Sequence, residues 1–434
     1  MKRSYLISFS LFLLLCLLSQ SHGEVSAVSK VSKSPYMIKS VETVLGPEIL
    51  VSTITTPEAD RYLPAVAYNN NHDEYLIVWH NTWPDGRRDI YARRVDANGD
   101  LLSWFCVATG VKSKFQPAVA YNSINDEYLV VWMFDVNGDG SAYEIWGRTI
   151  GWNGAYLNPE FQIITWPNRS FWTPRVAWNS LQNDYMVIWN AMDTTTSLPV
   201  DVSSMLLDAN GNVIMGRILT TSTYPQQADI IYNPVTNEYF VVFVRSYTQV
   251  TTGNDVYGLR VNASNSVIDP PGAILISNDP GDENHPAIAS NGKFSYAVVW
   301  ETLKASDYDI YGKKLDFNGN DSWNISYLIA ITLNDETLPS ITSDGTGYLT
   351  TWQKAETNGT SLNAVYWDSP NNVSFEVSPA GFWDNQNGAV AAGNHNFLIT
   401  YEGDSTGDPT IYRHIYARLW TINQQVFIPI ILKD

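Results

Sequence analysis

The 434-residue sequence predicts an all-β fold, a seven-bladed β-propeller with four antiparallel strands per blade and a ring closed by an N-terminal strand. Three observations predict it. One unit recurs seven times along the chain. Each complete unit holds four short runs rich in Val, Ile, Tyr, Trp and Phe, bounded by Gly/Asn/Asp-rich turns, which is the pattern of strands. A spare fourth run stands ahead of the first unit, where a closing strand would have to come from.

Residues 1–23 are set apart from the fold as a signal peptide. Lys2 and Arg3 precede the apolar run "YLISFSLFLLLCLL", and small residues follow, with cleavage expected after Gly23. The run is too short to span a bilayer, which takes about 20 apolar residues. Residues 24–45 read as a leader segment, 46–425 as the propeller and 426–434 as a C-terminal tail. The segment "GPEILVST" at the start of the propeller is similar to "NPEFQIIT" (Asn158 to Thr165), the fourth strand of the second unit. It therefore reads as a fourth strand that completes the last blade and removes an exposed sheet edge.

The repeat itself is plainest in "PAVAYNNNHDEYLIVW" (Pro64 to Trp79) and "PAVAYNSINDEYLVVW" (Pro117 to Trp132), which match at 12 of 16 positions. The second half returns ending at Trp189, Phe243, Trp300, Trp352 and Tyr401, at successive spacings of 53, 57, 54, 57, 52 and 49 residues. A third marker follows each of these, as in "IYARRVDANG" from Ile90. In "EYLIVW", Tyr75, Ile77 and Trp79 share one face of a strand, and Leu76 and Val78 share the other. Both faces are apolar, so the strand has to be covered on both sides, as in sheets stacked radially. The recurring Trp79, Trp132, Trp189, Trp300 and Trp352 are expected to be buried between blades. "D-A-N-G" ends such as Asp96 to Gly99 suit hairpin turns.

The repeat resembles the "P-x-V-A … Y-L-V-V-W … I-Y-A-R-R-x-D-x-x-G" unit of bacterial secreted propeller-repeat proteins, over nearly all of the chain from about Gly46. That resemblance implies the fold and export. It implies no activity, because propellers carry both enzymes and binding modules.

Composition narrows the partners. The net charge is −18, and removing residues 1–23 takes away Lys2 and Arg3 but no acid, leaving −20. Such a surface disfavours nucleic acid and anionic membranes. Cys106 is the one cysteine left after cleavage, so no intramolecular disulfide forms. It is expected to be a buried, inert thiol.

Function is expected where the units differ. The loops between second and third strands, and those entering first strands, are long and irregular, and in a propeller they share the face around one channel mouth. Arg61, Gln116, Trp172, Gln227, His285 and Asn387 enter the first strands and are the expected ligand-binding residues. Asp135, Asn137 and Asp139 in "DVNGDG" place oxygens at alternate positions and suggest calcium, the one cofactor the sequence proposes. The twelfth position, where a bidentate Glu is needed, is Trp146, so an acidic hairpin turn is the competing reading. Trp83, Trp152, Trp166, Trp172, Trp323 and Trp383 lie in or beside loops, where they would stack on sugars or cap the core.

The leading expectation is a secreted, non-enzymatic monomer that binds a glycan or protein ligand at the channel mouth, with no nucleic-acid partner and no membrane insertion. The alternative is a secreted glycoside hydrolase or lyase using channel-mouth carboxylates. A third reading is a scaffold without a small-molecule ligand.

Overall fold

The computed structural model describes residues 37–53, 59–221, 225–246, 253–269, 273–304, 306–321, 326–357, 359–367, 372–378, 383–404 and 412–429. The expected signal peptide, most of the leader, the last five residues of the tail and Trp323 lie outside them, as does the side chain of Trp383. Two compact units are present, residues 41–424 and a small unit of 1–40 with 425–434. Among the described residues no helix is long and apolar enough to cross a membrane.

Residues 41–424 form the seven-bladed propeller. Blades 1 to 6 are four-stranded antiparallel sheets of consecutive strands, over residues 60–108, 114–164, 169–220, 225–277, 283–330 and 336–376. Blade 7 takes Trp383–Ala392, Asn396–Asp404 and His414–Pro429 from the C-terminal end, and Ile49–Leu50 from the N-terminal end. Ile49 and Leu50 pair antiparallel with Ala417 and Tyr416. Gly46 N–H donates to Leu419 O at 2.7 Å and Val51 N–H to Ile415 O at 2.9 Å. The early strand thus closes the ring, as its likeness to a fourth strand implies. The tail is not a separate strand. It continues the third strand of blade 7, which runs for 16 residues and also pairs with Met37–Leu45.

The second strands carry the packing. Tyr75 to Trp79 are all fully buried. Tyr75, Ile77 and Trp79 pack with Ala391, Leu398 and Ile415 of blade 7. Leu76 and Val78 pack with Tyr128, Val130 and Trp132 of blade 2. The same division repeats from blade 2 to 3, 3 to 4, 4 to 5, 5 to 6 and 6 to 7. Each such side chain contributes roughly 2 kcal/mol of transfer free energy when its facing blade is present, so the strand as a whole needs both neighbours. The five recurring tryptophans are buried, as expected.

Polar pins cross the same interfaces. Tyr75 Oη donates to Asn396 Oδ1 at 2.5 Å, Tyr239 Oη to Asp184 Oδ1 at 3.0 Å, and Asn233 Nδ2 to Tyr296 Oη at 2.9 Å. The Tyr348 and Ser295 hydroxyls meet at 2.9 Å. Each bond joins one blade to the blade before it. At the turn after the first strand, buried Asn69, Asn122 and Asn179 turn their side-chain oxygens onto backbone N–H groups two and three residues on. Asp96 Oδ1 accepts from the backbone of Asn98 and Asp100, and Gly99 supplies the positive φ, so the "D-A-N-G" segment is a hairpin turn. Burial lifts the Cys106 thiol to about 11, which keeps it protonated and unreactive.

Several carboxyls are buried in these interfaces, and burial disfavours their charge. The Asp184 carboxyl rises to about 6, and that of Glu283, fully buried with Ser277 Oγ and Val256 N as donors, to about 7. Each is higher folded than unfolded, so its contribution is whole below the unfolded value and is lost as pH rises to the folded one. For Glu283 that window runs from 4.5 to about 7. His80 opposes this: burial lowers it to about 3, so its contribution is lost as pH falls from 6.5. We expect Glu283→Gln to be more stable than the parent at pH 8 and to lose that advantage by pH 4.5, in urea unfolding followed by tryptophan fluorescence. A difference independent of pH would contradict this.

Candidate functional site at the channel mouth

The first strands of the seven blades pack side by side, and the first strand of blade 7 returns to that of blade 1, so they wall a central channel. Each breaks its ladder at one place. Pairing with the second strand shifts between Tyr62 and Ala65, Phe115 and Ala118, Trp172 and Arg175, Gln226 and Asp229, Asn284 and Ala287, Thr337 and Ser340, and around Gln386 to Ala389. In every bulge one residue has a positive φ of 49–53°: Leu63, Gln116, Thr173, Gln227, His285, Leu338 and Asn387. A Pro follows in five of the seven, where the break spares a missing N–H, while Ala228 and Gly388 follow in the other two with the same break. A left-handed conformation costs a non-glycine residue about 1 kcal/mol or more. Seven in one ring make a strained collar, held by the surrounding sheets.

Three collar amides are held by side chains of the preceding blade. Leu63 N–H donates to Glu402 Oε2 at 2.6 Å, Leu338 N–H to Glu301 Oε2 at 2.8 Å, and His285 N–H to Gln227 Oε1 at 2.7 Å. Glu301 and Glu402 occupy the same repeat position, directly after Trp300 and Tyr401. Glu402 also accepts from Asn387 Nδ2 at 3.0 Å and Arg413 Nη1 at 3.4 Å, and burial pushes its carboxyl upward.

The collar rings a cavity of about 350 Å³, in the size range of small-molecule sites. Its wall is uneven. Blades 1 and 6 contribute Leu63, Leu338 and small residues, and blades 2 and 7 contribute Gln116 and Asn387 beside small residues. Blades 3 to 5 contribute Thr173, Arg175, Gln227, Asp229 and His285. Arg175 Nε lies 3.8 Å from Asp229 Oδ1, and the Arg175 side chain is 45% exposed. Asp229 Oδ2 accepts from Ile288 N–H at 3.1 Å, and burial raises its carboxyl against the opposing pull of Arg175.

His285 is the group with acid–base chemistry in this wall. Its Nδ1 is 2.8 Å from Oε1 of buried Glu301, and its side chain is 41% exposed. The tautomer follows from the neighbours. Gln227 Oε1 takes the His285 backbone proton, which leaves Gln227 Nε2, a donor only, facing His285 Nε2 at 3.4 Å. Nε2 of the neutral ring is therefore the acceptor, and the ring proton sits on Nδ1, donated to Glu301. His285 Nε2 thus faces Gln227 Nε2, and both residues line the cavity.

Of the six residues expected to bind ligand, Gln116, Gln227, His285 and Asn387 line this cavity. Arg61 and Trp172 do not. Arg61 is buried, with Nη1 donating to Ala59 O at 2.6 Å, and the collar residue of its blade is Leu63, two positions on. Trp172 packs edge-on against Tyr143 at 4.7 Å, and its blade's collar residue is Thr173. Arg175, Asp229, Glu301 and Glu402 were missed by looking at irregular loops. Their signal lay inside the repeat: Arg175 and Asp229 stand where "P-A-V-A" has its first Ala, and Glu301 and Glu402 follow the marker aromatic.

The other expected positions fall outside the cavity. Trp83 donates Nε1 to buried Asp89 at 2.8 Å, and Trp152 stacks on His72 at 3.9 Å, so both serve local packing. Trp166 is 64% exposed. Asp135 is buried, and its two oxygens accept from Gly138 N–H at 2.8 Å and Gly140 N–H at 3.0 Å. Asn137 donates to Ser141 Oγ at 2.8 Å and Asp139 Oδ1 accepts from Ser141 N–H at 2.9 Å. These bonds close the hairpin on itself. Among the described residues no three His, Cys, Asp or Glu side chains group as a metal site.

No known protein family profile matches the chain, and no curated protein sequence does either. Solved structures match in fold. A protein of unknown function from Dyadobacter fermentans is 9% identical, with 88% of this chain and 99% of that one aligned at a TM-score of 0.51. The polysaccharide lyase Uly1 is 9% identical, with 85% and 91% covered at 0.52. A puromycin hydrolase mutant is 13% identical, with 79% and 50% covered at 0.52. The expectation of a non-enzymatic module is thereby corrected. Chains that share the fold include a polysaccharide lyase and, over half of its length, a puromycin hydrolase, so the fold gives no ground for setting enzymes aside.

The hairpin reading has a direct check. Asp135→Ala is expected to lower the thermal midpoint by several degrees in metal-free buffer, since two amide donors lose their acceptor, at a cost of roughly 1–3 kcal/mol. A calcium-dependent rise in the parent's midpoint, abolished by the same substitution, would reinstate the metal.

Proposed function

We propose that this chain is a secreted enzyme that cleaves glycans at the channel mouth, with His285 as its acid–base group. The observation that carries the reading is the Nδ1–Oε1 contact of 2.8 Å between buried Glu301 and His285, a residue that lines the cavity. A carboxylate behind an imidazole fixes its tautomer and supports the cation formed when the ring takes a proton. The collar holds that geometry rigidly, because Glu301 also binds the Leu338 amide and Gln227 the His285 amide. Export belongs to the same reading and rests on the N-terminal charged, apolar and small-residue pattern.

A two-carboxylate hydrolytic mechanism fits less well. Such a mechanism needs two carboxyl groups facing each other across the scissile bond. Here both oxygens of Glu301 and of Glu402 are engaged within the wall, which leaves Asp229 as the carboxylate lining the cavity.

The test is turnover of a panel of neutral and acidic polysaccharides by the mature chain, read as new chain ends. His285→Ala is expected to lower kcat by about 100-fold or more at a temperature where it is fully folded, its thermal midpoint also falling because Glu301 Oε1 loses its donor. Absence of turnover on every glycan, or full activity in His285→Ala, would defeat the proposal.

A further inference from the structure

We propose a second binding site, in the cleft between blades 1 and 2, that takes the oxyanion of a small organic acid, a carboxylate or a phosphoryl group. It goes beyond the glycan-cleaving reading and does not rest on it. The turn between the second and third strands of blade 1, the loop entering blade 2 and the corresponding turn of blade 2 enclose a cavity of about 570 Å³, in the size range of small-molecule sites. Asp85, Arg87, Gly110, Val111, Ser113 and Gly138 line it, and none of them lines the channel cavity. The three segments are fastened to one another. Arg88 N–H donates to Ser113 Oγ at 3.2 Å, Gly110 N–H to Asp89 Oδ1 at 3.2 Å, and Asp135 N–H to Ser113 O at 2.9 Å.

Lys114 is the residue that points to an anion. It is 3% exposed, yet its Nζ makes one hydrogen bond, to Lys112 O at 3.0 Å, and no ion pair among the described residues. An ammonium has three N–H donors, so two lack an acceptor there. The ammonium stands 3.2 Å from where a Cβ on Gly110 would be, which sets it against the cavity wall. Burial pulls Lys114 toward its neutral form, and an anion in the cavity would supply the missing partner. Two lining residues have donors to add. The Ser113 hydroxyl accepts from Arg88 and has no acceptor of its own among the described residues. Arg87 gives Nη1 to buried Asp89 at 2.6 Å, while its Nη2 is without a partner there.

The local balance of charge departs from the chain's −18. Arg87, Arg88, Lys112 and Lys114 meet here, each over an aromatic face. Arg87 lies 5.4 Å from the Trp83 ring and Arg88 4.9 Å from that of Phe115, and Lys112 and Lys114 lie 5.9 and 5.4 Å from that of Phe134. A ring face orients a cation without cancelling its charge. The buried acids nearby are engaged, Asp89 with Trp83, Arg87 and Gly110, and Asp135 with the Gly138 and Gly140 amides. Asp85 and Asp139 are exposed, and salt water screens them.

The experiment titrates the mature chain with inorganic phosphate and, separately, with acetate, by calorimetry at low salt. Expected is saturable binding of at least one of them that weakens as chloride is added. Preference for phosphate would assign a phosphoryl group, and equal or tighter binding of acetate a carboxylate. Lys114→Met keeps the stem against Phe134 and removes the ammonium, so it should weaken binding by about tenfold or more. Val111→Glu, at a 95% exposed position of the wall, adds an opposing charge outside the packing. It should weaken both anions with an unchanged thermal midpoint, and it carries the test if Lys114→Met does not fold. Arg175→Ala, in the channel cavity, should leave the binding as it is. No binding of either anion, binding unchanged in folded Lys114→Met or in Val111→Glu, or binding lost in Arg175→Ala would overturn the site. Glycan turnover is measured separately, so failure here leaves the glycan-cleaving reading standing.

Discussion

The structure depends on second strands that are apolar on both faces. Tyr75 to Trp79 have no exposed surface, and alternate side chains belong to different interfaces, one with blade 7 and one with blade 2. No single four-stranded sheet can satisfy such a strand, and neither can a stack with open ends. The ring is the arrangement in which every second strand has two neighbours. It explains why the chain borrows Ile49 and Leu50 for its last blade. It also explains why tyrosine hydroxyls bridge to the preceding blade: their apolar rings are already committed to the interface and their oxygens still need partners.

From this packing the channel follows, and from the channel the collar. First strands converge on the axis, and the positive φ residues place a bulge at the same height in all seven. The strain is shared out over sheets buried on both sides, which can bear it. A bulge re-aims side chains that a regular strand would send into the blade interfaces. His285, Gln227 and Asn387 owe their place at the cavity to that turn.

The fold was legible because its signal is repeated. Marker aromatics at near-constant spacing, two-faced strands and a displaced fourth strand each reflect a constraint imposed several times over, so a single substitution such as Thr350 or Gly388 does not erase it. The site was half legible. Gln116, Gln227, His285 and Asn387 directly precede the repeat's "P-A-V-A" or its remnant, and that register brings them to the cavity wall. Arg61 and Trp172 lie off the cavity because they stand three and two residues ahead of Pro64 and Pro174, whereas the collar residues Leu63 and Thr173 stand directly before them. Glu301 carried no signal of its own in the letters, yet it is a buried side chain whose two oxygens are bonded to residues of blades 5 and 6.

That last point bears on how chemistry arises on a repetitive scaffold. Seven equivalent positions follow the marker aromatic, namely His80, Met133, Asn190, Val244, Glu301, Gln353 and Glu402. The position is buried in six of the seven, Gln353 being half-buried, and it faces the collar, so a carboxylate there survives only with donors. Two of the seven have them, from the collar amides of Leu338 and Leu63. In blade 7 the remaining acceptor capacity goes to Asn387 and Arg413, and the carboxylate is structural. In blade 5 it goes to an imidazole that reaches the cavity. The same buried acid thus serves as a brace in one blade and as the support of a base in another, and the difference is the residue at the collar. Catalytic potential on this ring is set by which collar residue stands beside the braced carboxylate, and only blade 5 places a titratable side chain there.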